Sequence, residues 1–324
     1  MTTARSQLIC PDITPYYHCV SRCVRRSFLC GEDPLTGVSY SHRREWVEQR
    51  LLSLATIYCI QICAYAVMSN HYHLVVYIDK QSALALSEQQ VIERWSIAHH
   101  LPAIIQRFQH GQVTTKAEIE TCYEIIEIWR TRLYSLSWFM RELNQHIATH
   151  ANREDHCTGR FWEGRFKSQA LLDEKALLAA MAYVDLNPVR ANAAPTPEQS
   201  DYTSIKIRLE NLKQDLLSHQ PLLDFIDDNN SNSSNSGRAV IPFRLTDYLK
   251  LLDWLGRQIR EGKSGHIAHN TPPILTRLSL PPKECIALCT VLEIRSRLWI
   301  GTRDNLHTAK VQLNRQRITG IVIS

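Results

Sequence analysis

The sequence predicts an α+β fold. It implies an antiparallel sheet in β-α-β-β-α-β order (the split βαβ, ferredoxin-like arrangement), an α-helical insertion and a mainly helical C-terminal region. Three observations predict it. Four runs read as strands, one of them (His71 to Ile78) with alternating faces, and the runs between them carry apolar residues at helical spacing. Two strand-like runs are separated only by Ser69-Asn70, which reads as a hairpin turn. Residues 80–134 carry helical patterns, around Glu88 to Ala98 and Lys116 to Arg130, and interrupt the βαββαβ order as an insertion.

The elements follow in order. Tyr16 to Val24 reads as the first strand. Ser41 to Ala55 reads as a helix, with Trp46, Val47, Leu51, Leu54 and Ala55 at helical spacing. Ile57 to Met68 and His71 to Ile78 are the hairpin strands. Ser135 to His150 is a second helix, with Leu136, Phe139, Met140, Leu143 and Ile147 on one side. Phe161 to Leu172 is a fourth strand, and Glu174 to Leu186 a closing helix.

The run Asn229 to Ser236 is asparagine and serine throughout and is followed by Gly237, a composition that builds no core. It marks 227–240 as a flexible linker between a catalytic-sized unit, 1–226, and an accessory region, 241–324. That region holds 13 Lys and Arg against 6 Asp and Glu, while the whole chain of 324 residues carries a net charge of only +5. The basic excess sits in the tail, as expected of a part that touches a polyanion or of a solubilising surface. Its first residues, Leu245, Tyr248, Leu249, Leu252 and Leu255, form an amphipathic helix pattern that suits a DNA-binding module or an accessory domain.

The longest apolar run, near Ile57 to Met68, is too short to span a bilayer and is interrupted by Gln61. The segment Met1 to Gln7 has no apolar core of a secretion signal, so a cytoplasmic location with no membrane partner is expected. The ten cysteines do not fall at C-x-x-C spacing, because Cys19/Cys23, Cys59/Cys63 and Cys285/Cys289 are each four apart. Buried free thiols are the better expectation than a structural zinc site.

The chemistry begins at His71-Tyr72-His73. On a strand, side chains alternate faces, so both imidazoles share one face while Tyr72, Leu74, Val76 and Ile78 enter a core on the other. Two imidazoles about 6–7 Å apart along a strand can grip one divalent metal. A polar strand face that happens to carry two histidines is the plainer alternative. On the closing helix, Leu177, Ala180, Met181 and Val184 form the apolar stripe. Tyr183 lies about 130° from its middle, beside small Ala176, Ala179 and Ala180. A tyrosine beside the stripe, with space around its ring, favours a functional hydroxyl. Asn187, four residues on, projects to the same side if the helix continues. Pro188 weakens that geometry, and Asn187 reads equally as a metal ligand or as a helix C-cap.

Three segments then converge on a resemblance: Met68 to Val76 with the histidine pair, Gly159-Arg-Phe-Trp-Glu-Gly-Arg-Phe-Lys-Ser168, and Tyr183-Val-Asp-Leu-Asn-Pro-Val-Arg-Ala191. In this order they resemble the single-tyrosine HUH transposases of the insertion-sequence-200-like kind, and more closely the REP-associated tyrosine transposases. The resemblance covers roughly residues 10–205 apart from the insertion. It implies a ferredoxin-like domain that cuts and rejoins single-stranded DNA at hairpin-forming repetitive palindromes. By that resemblance His71 and His73 match the paired metal ligands and Tyr183 the nucleophile. Asn187 stands where related transposases place a glutamine as third ligand, one methylene longer. A tyrosine hydroxyl has an ordinary pKa of about 10 and needs help as a nucleophile at neutral pH. A divalent cation supplies that help at the scissile phosphate. Imidazoles and an amide suit Mn²⁺ better than Mg²⁺, and the family uses either.

The parts expected to hold DNA are basic. Arg160, Arg165 and Lys167 alternate with aromatics, Arg22, Arg25 and Arg26 end the first strand, and Arg190 follows the closing helix. Each has the alternative of a solvated surface charge. Three rivals stand beside the transposase: a relaxase or rolling-circle replication initiator, a non-cleaving DNA-binding regulator on the same fold, and a structural zinc protein. Val75 stands where many relaxases carry a third histidine, which argues against the first. The expected assembly is a monomer or a homodimer.

Overall fold

A computed structural model describes residues 8–24, 29–33, 37–214, 222–226, 239–260, 275–276, 278–292 and 298–323. The linker residues 227–238 lie outside the described residues. The chain begins β1 (Tyr16–Arg22), α1 (Arg43–Ile57), β2 (Ile60–Val67) and β3 (His71–Ile78). The insertion folds as α2 (Lys80–Ala85), α3 (Glu88–Ala98), α4 (Ala103–Gln109) and α5 (Lys116–Leu133). There follow α6 (Leu136–Glu154), β4 (Lys167–Leu171), α7 (Glu174–Asp185), α8 (Asn187–Arg190) and α9 (Ser204–Gln214). The last part holds α10 (Leu245–Arg260), α11 (Pro282–Val291), β5 (Trp299–Thr302), α12 (Arg303–Gln312) and β6 (Gly320–Ile323).

This is an α+β fold around one six-stranded mixed sheet, ordered β2-β3-β1-β4-β5-β6. β3 pairs antiparallel with both β1 and β2, and β4 pairs antiparallel with β1. β5 and β6 continue the sheet in parallel. The sheet thus runs across the division at 227–240, because β5 and β6 come from the region read as accessory. Ala170 pairs with Trp299 and Leu171 with Ile300. Four-residue strands give a weak alternation signal, and parallel pairing leaves no turn beside them to read.

The sheet has two covered faces. On one, Tyr17, Cys19, Tyr72, Leu74, Val76 and Ile78 pack under α1, α6 and the insertion. Arg43, fully buried, ties the start of α1 to the end of α6, with its Nε donating to Glu154 Oε2 at 2.6 Å and its Nη2 paired to Asp155. On the other face, Val75, Ala64, Ala66 and Leu171 pack against α7, which is in turn covered by residues of α10 and α11. Every residue of α7 from Ala176 to Asp185 is buried. The amphipathic stripe expected for this helix is therefore replaced by burial all round, the state of a helix wedged between a sheet and further helices.

Local chemistry sets the ends of α7. The Asp173 side chain caps its N-terminus by accepting from Ala176 N at 2.9 Å. Its other oxygen accepts from Thr302 N at 2.7 Å and from Asn305 Nδ2 at 3.1 Å, which joins α7 to β5 and α12. The expected fourth strand, Phe161 to Leu172, is shortened to β4. Residues 161–166 leave the ladder, with Cys23 and Trp162 in an isolated bridge and Glu163 N donating to Arg22 O at 2.8 Å. Among the described residues, no helix is long and apolar enough to cross a membrane. All ten cysteines are free.

Candidate functional site: a histidine cluster under a tyrosine helix

The strand register builds the site. In β1 and β3, Arg22 lies opposite His71, Val20 opposite His73 and His18 opposite Val75. In β1 and β4, His18 lies opposite Gln169 and Val20 opposite Lys167. Directly paired residues share a face, so His18, Arg22, His71, His73, Lys167 and Gln169 all project toward the side covered by α7.

The two histidines of β3 converge. His71 Nε2 and His73 Nε2 stand 2.9 Å apart, and His71 Nδ1 meets Asn70 Oδ1 at 2.5 Å. Asn187 brings its amide nitrogen to 3.3 Å from His73 Nε2. Asn187 is thus not the C-cap of α7. Leu186 joins the two helices with αR geometry and Pro188 occupies the first turn of α8, where its missing N–H costs nothing. The left-handed residue that ends α8 is Asn192, with φ of 53°.

Tyr183 comes from the same chain. Its ring stands edge-on to His73, with centroids 5.2 Å apart and planes at 86°, and edge-on to His18 at 5.9 Å. The Arg190 guanidinium lies over the ring, 4.8 Å from its centroid. Tyr183 is 2% exposed, so the free space expected around its ring is filled by these side chains.

His73 is fully buried and its pKa lies well below the usual imidazole range. Burial is the first cause, followed by the charges of His71, His18, Arg22 and Arg190. A neutral His73 offers a lone pair, which is the form a metal ion binds. His71 and His73 could hold a divalent cation through their Nε2 atoms, and the Asn187 amide could join them once turned to present its oxygen in place of its NH2. Among the described residues no group of three or more His, Cys, Asp or Glu side chains is arranged as a metal cage.

The basic residues separate. Arg22, Lys167 and Arg190 flank the cluster. Arg160 and Arg165 are exposed on the segment before β4, between buried Phe161, Trp162 and Phe166. Arg25 and Arg26 lie outside the described residues. His18 and Gln169 are the members of the cluster that sequence reading missed. A histidine in the middle of a strand carries no motif, and only the β1–β3 register places it beside His73.

No protein-family model matches the chain. No curated protein matches it. A solved structure described as a REP-associated tyrosine transposase bound to a REP hairpin aligns with a TM-score of 0.38 and 15% identity, over 65% of this chain and 86% of that one.

Proposed function

We propose that the protein is a metal-dependent, single-tyrosine transposase or nickase acting on single-stranded DNA with hairpin structure. The observation that carries the reading is the meeting of four side chains, buried His73, Asn187 and Tyr183 with half-buried His71 at the edge. A strand motif, a helix motif and the residue spacing between them, far apart in sequence, supply these groups together. The strand order β2-β3-β1-β4, with antiparallel pairing throughout those four, supports the ferredoxin-like description.

In this reading Tyr183 Oη attacks the phosphorus of a backbone phosphodiester. The bond from phosphorus to the 3′-oxygen breaks, the 5′-phosphate stays on Tyr183, and the phenolic proton is balanced by the one gained on the released 3′-OH. The ester is conserved, so the reverse attack by a 3′-OH rejoins DNA. Mg²⁺ or Mn²⁺ held by His71, His73 and Asn187 would polarise the scissile phosphate. Arg190 lies at the tyrosine ring, where it can also meet a phosphate oxygen. Arg22 and Lys167 extend a basic surface around the cluster. Exposed Arg160 and Arg165, together with Arg25 and Arg26, are assigned to the DNA backbone.

A second reading, a non-cleaving DNA-binding regulator on the same fold, draws support from the burial of Tyr183. One experiment separates the two. End-labelled palindromic single strands are incubated with the protein and Mn²⁺, and denaturing gels score a covalent adduct, mapped by mass spectrometry. An adduct at Tyr183 supports the transposase. Hairpin binding without any adduct overturns it in favour of the regulator.

A further inference from the structure

Behind the paired histidines runs a chain of hydrogen bonds whose direction can be worked out from its far end. Leu292 follows the last turn of α11, where backbone carbonyls lack helical partners. Its carbonyl can only accept. Gln169 Nε2 donates to it at 3.1 Å. The Gln169 amide is thereby oriented, because the flipped amide would set two acceptor oxygens against each other. Gln169 Oε1 then faces His18 Nδ1 at 2.8 Å, and an amide oxygen only accepts, so His18 carries its proton on Nδ1. His18 Nε2, left with a lone pair, meets His73 Nδ1 at 3.1 Å, and His73 must carry its proton there. A neutral His73 with Nδ1 protonated has its lone pair on Nε2. That is the nitrogen that points at His71 Nε2 and Asn187.

We infer that His18 and Gln169 are positioning residues that fix the tautomer and ring orientation of His73, so that its Nε2 lone pair is presented to a divalent cation. The inference rests on the metal-dependent reading above and adds its supporting layer. Metal-bound histidines are commonly held in this way through their second ring nitrogen. Burial strengthens the arrangement. His18 and His73 are both fully buried and stack with centroids 5.3 Å apart, so water does not compete for their nitrogens. The relay also gives the C-terminal region a part in the site, since its origin is a carbonyl that follows α11. That carbonyl sits 123 residues from Gln169 in sequence.

The test uses the full chain and Mn²⁺ alone. His18→Phe keeps a flat ring of similar size but offers no acceptor to His73 Nδ1. His18→Gln is less similar in shape but keeps an acceptor oxygen. If the relay operates, His18→Phe weakens Mn²⁺ binding by about 10–100-fold in calorimetry, and His18→Gln stays closer to the natural protein. A packing role alone gives the opposite order, with His18→Phe the milder variant, and that order overturns the inference. Equal Mn²⁺ affinity in all three proteins overturns it too. A second measurement needs no variant and no metal. In ¹⁵N-edited spectra of the metal-free natural protein, His73 is expected to show a protonated Nδ1 and an unprotonated Nε2. The opposite tautomer ends the proposal. Absence of Mn²⁺ uptake by the natural protein would defeat the metal reading instead, and the His73 spectrum would still judge the relay by itself.

Discussion

Tyr183 and His73 meet edge to face within one chain, 5.2 Å between ring centroids, although 110 residues separate them. The helix bearing the phenol therefore lies over the strand bearing the imidazoles without help from a second subunit. Tyr183→Phe keeps the ring and this packing but removes the hydroxyl. The variant is expected to bind hairpin DNA as the natural protein does and to form no covalent adduct. Adducts that persist in the variant would place the nucleophile elsewhere.

Asp185 is held by the start of α9 and by the C-terminal region. Tyr248 on α10 donates to its Oδ2 at 2.6 Å, and Ser204 Oγ and Ile205 N donate to its Oδ1 at 2.6 and 3.2 Å. Burial pushes the Asp185 carboxyl up to about 6, against the pull of these hydrogen bonds. Tyr248→Phe removes one donor from a buried carboxylate, and a loss of about 1.5–3 kcal/mol in chemical denaturation is expected. Because Asp185 lies between Tyr183 and Asn187, adduct formation should slow as well.

Arg43 is fully buried against Glu154 and Asp155. Arg43→Met removes the buried cation that Asp155 and Glu154 share at the junction of α1 and α6, leaving Glu154 its contact with His42. A destabilisation of about 3 kcal/mol is expected in urea unfolding, since removing one partner of a buried pair strands the other. Glu154→Gln, whose carboxylate is partly exposed, should cost less.

His146 on α6 has its pKa lowered from 6.5 to about 4, by burial first and then by the charges of His150 and Arg50. The folded protein resists a proton that the unfolded chain accepts. The stability this histidine contributes is complete above about pH 6.5 and is lost as pH falls toward 4. Melting temperatures should therefore drop over that interval, and the drop should be smaller in His146→Gln. An unchanged slope in the variant would assign the effect to other groups.

Truncation after Arg238 removes β5, β6 and the helices that cover α7. β4 would lose its parallel neighbour, and the buried outer side of α7 would meet water. The shortened chain is expected to lose a cooperative thermal transition. A sharp transition in that fragment would show that residues 1–238 fold alone.

How much was legible in the sequence depends on range. The β2–β3 hairpin was readable because alternation is local and the turn is adjacent to both strands. So was the common face of His71 and His73, and the core face of Tyr72, Leu74, Val76 and Ile78. The insertion was readable as helical, with Ser87 and Gln90 forming a capping box at the start of α3. The segment at Phe161 misled, because its apolar residues are buried from a turn rather than a ladder, with Trp162 Nε1 donating to Asn144 O at 2.8 Å. The all-round burial of α7 had a signal in its alanines, Ala176, Ala179, Ala180 and Ala182, which suit close packing on every side.

The sequence by itself determined the strand that carries the histidines, the helix that carries the tyrosine, and the order of elements between them, since each is written in the period of neighbouring residues. Only the tertiary structure decided that His18 stands behind His73, that Asn187 turns toward it instead of capping α7, and that the last strands close the same sheet. Those outcomes depend on strand register and on helix packing across long loops, where the deciding contacts are between residues that the linear order keeps far apart.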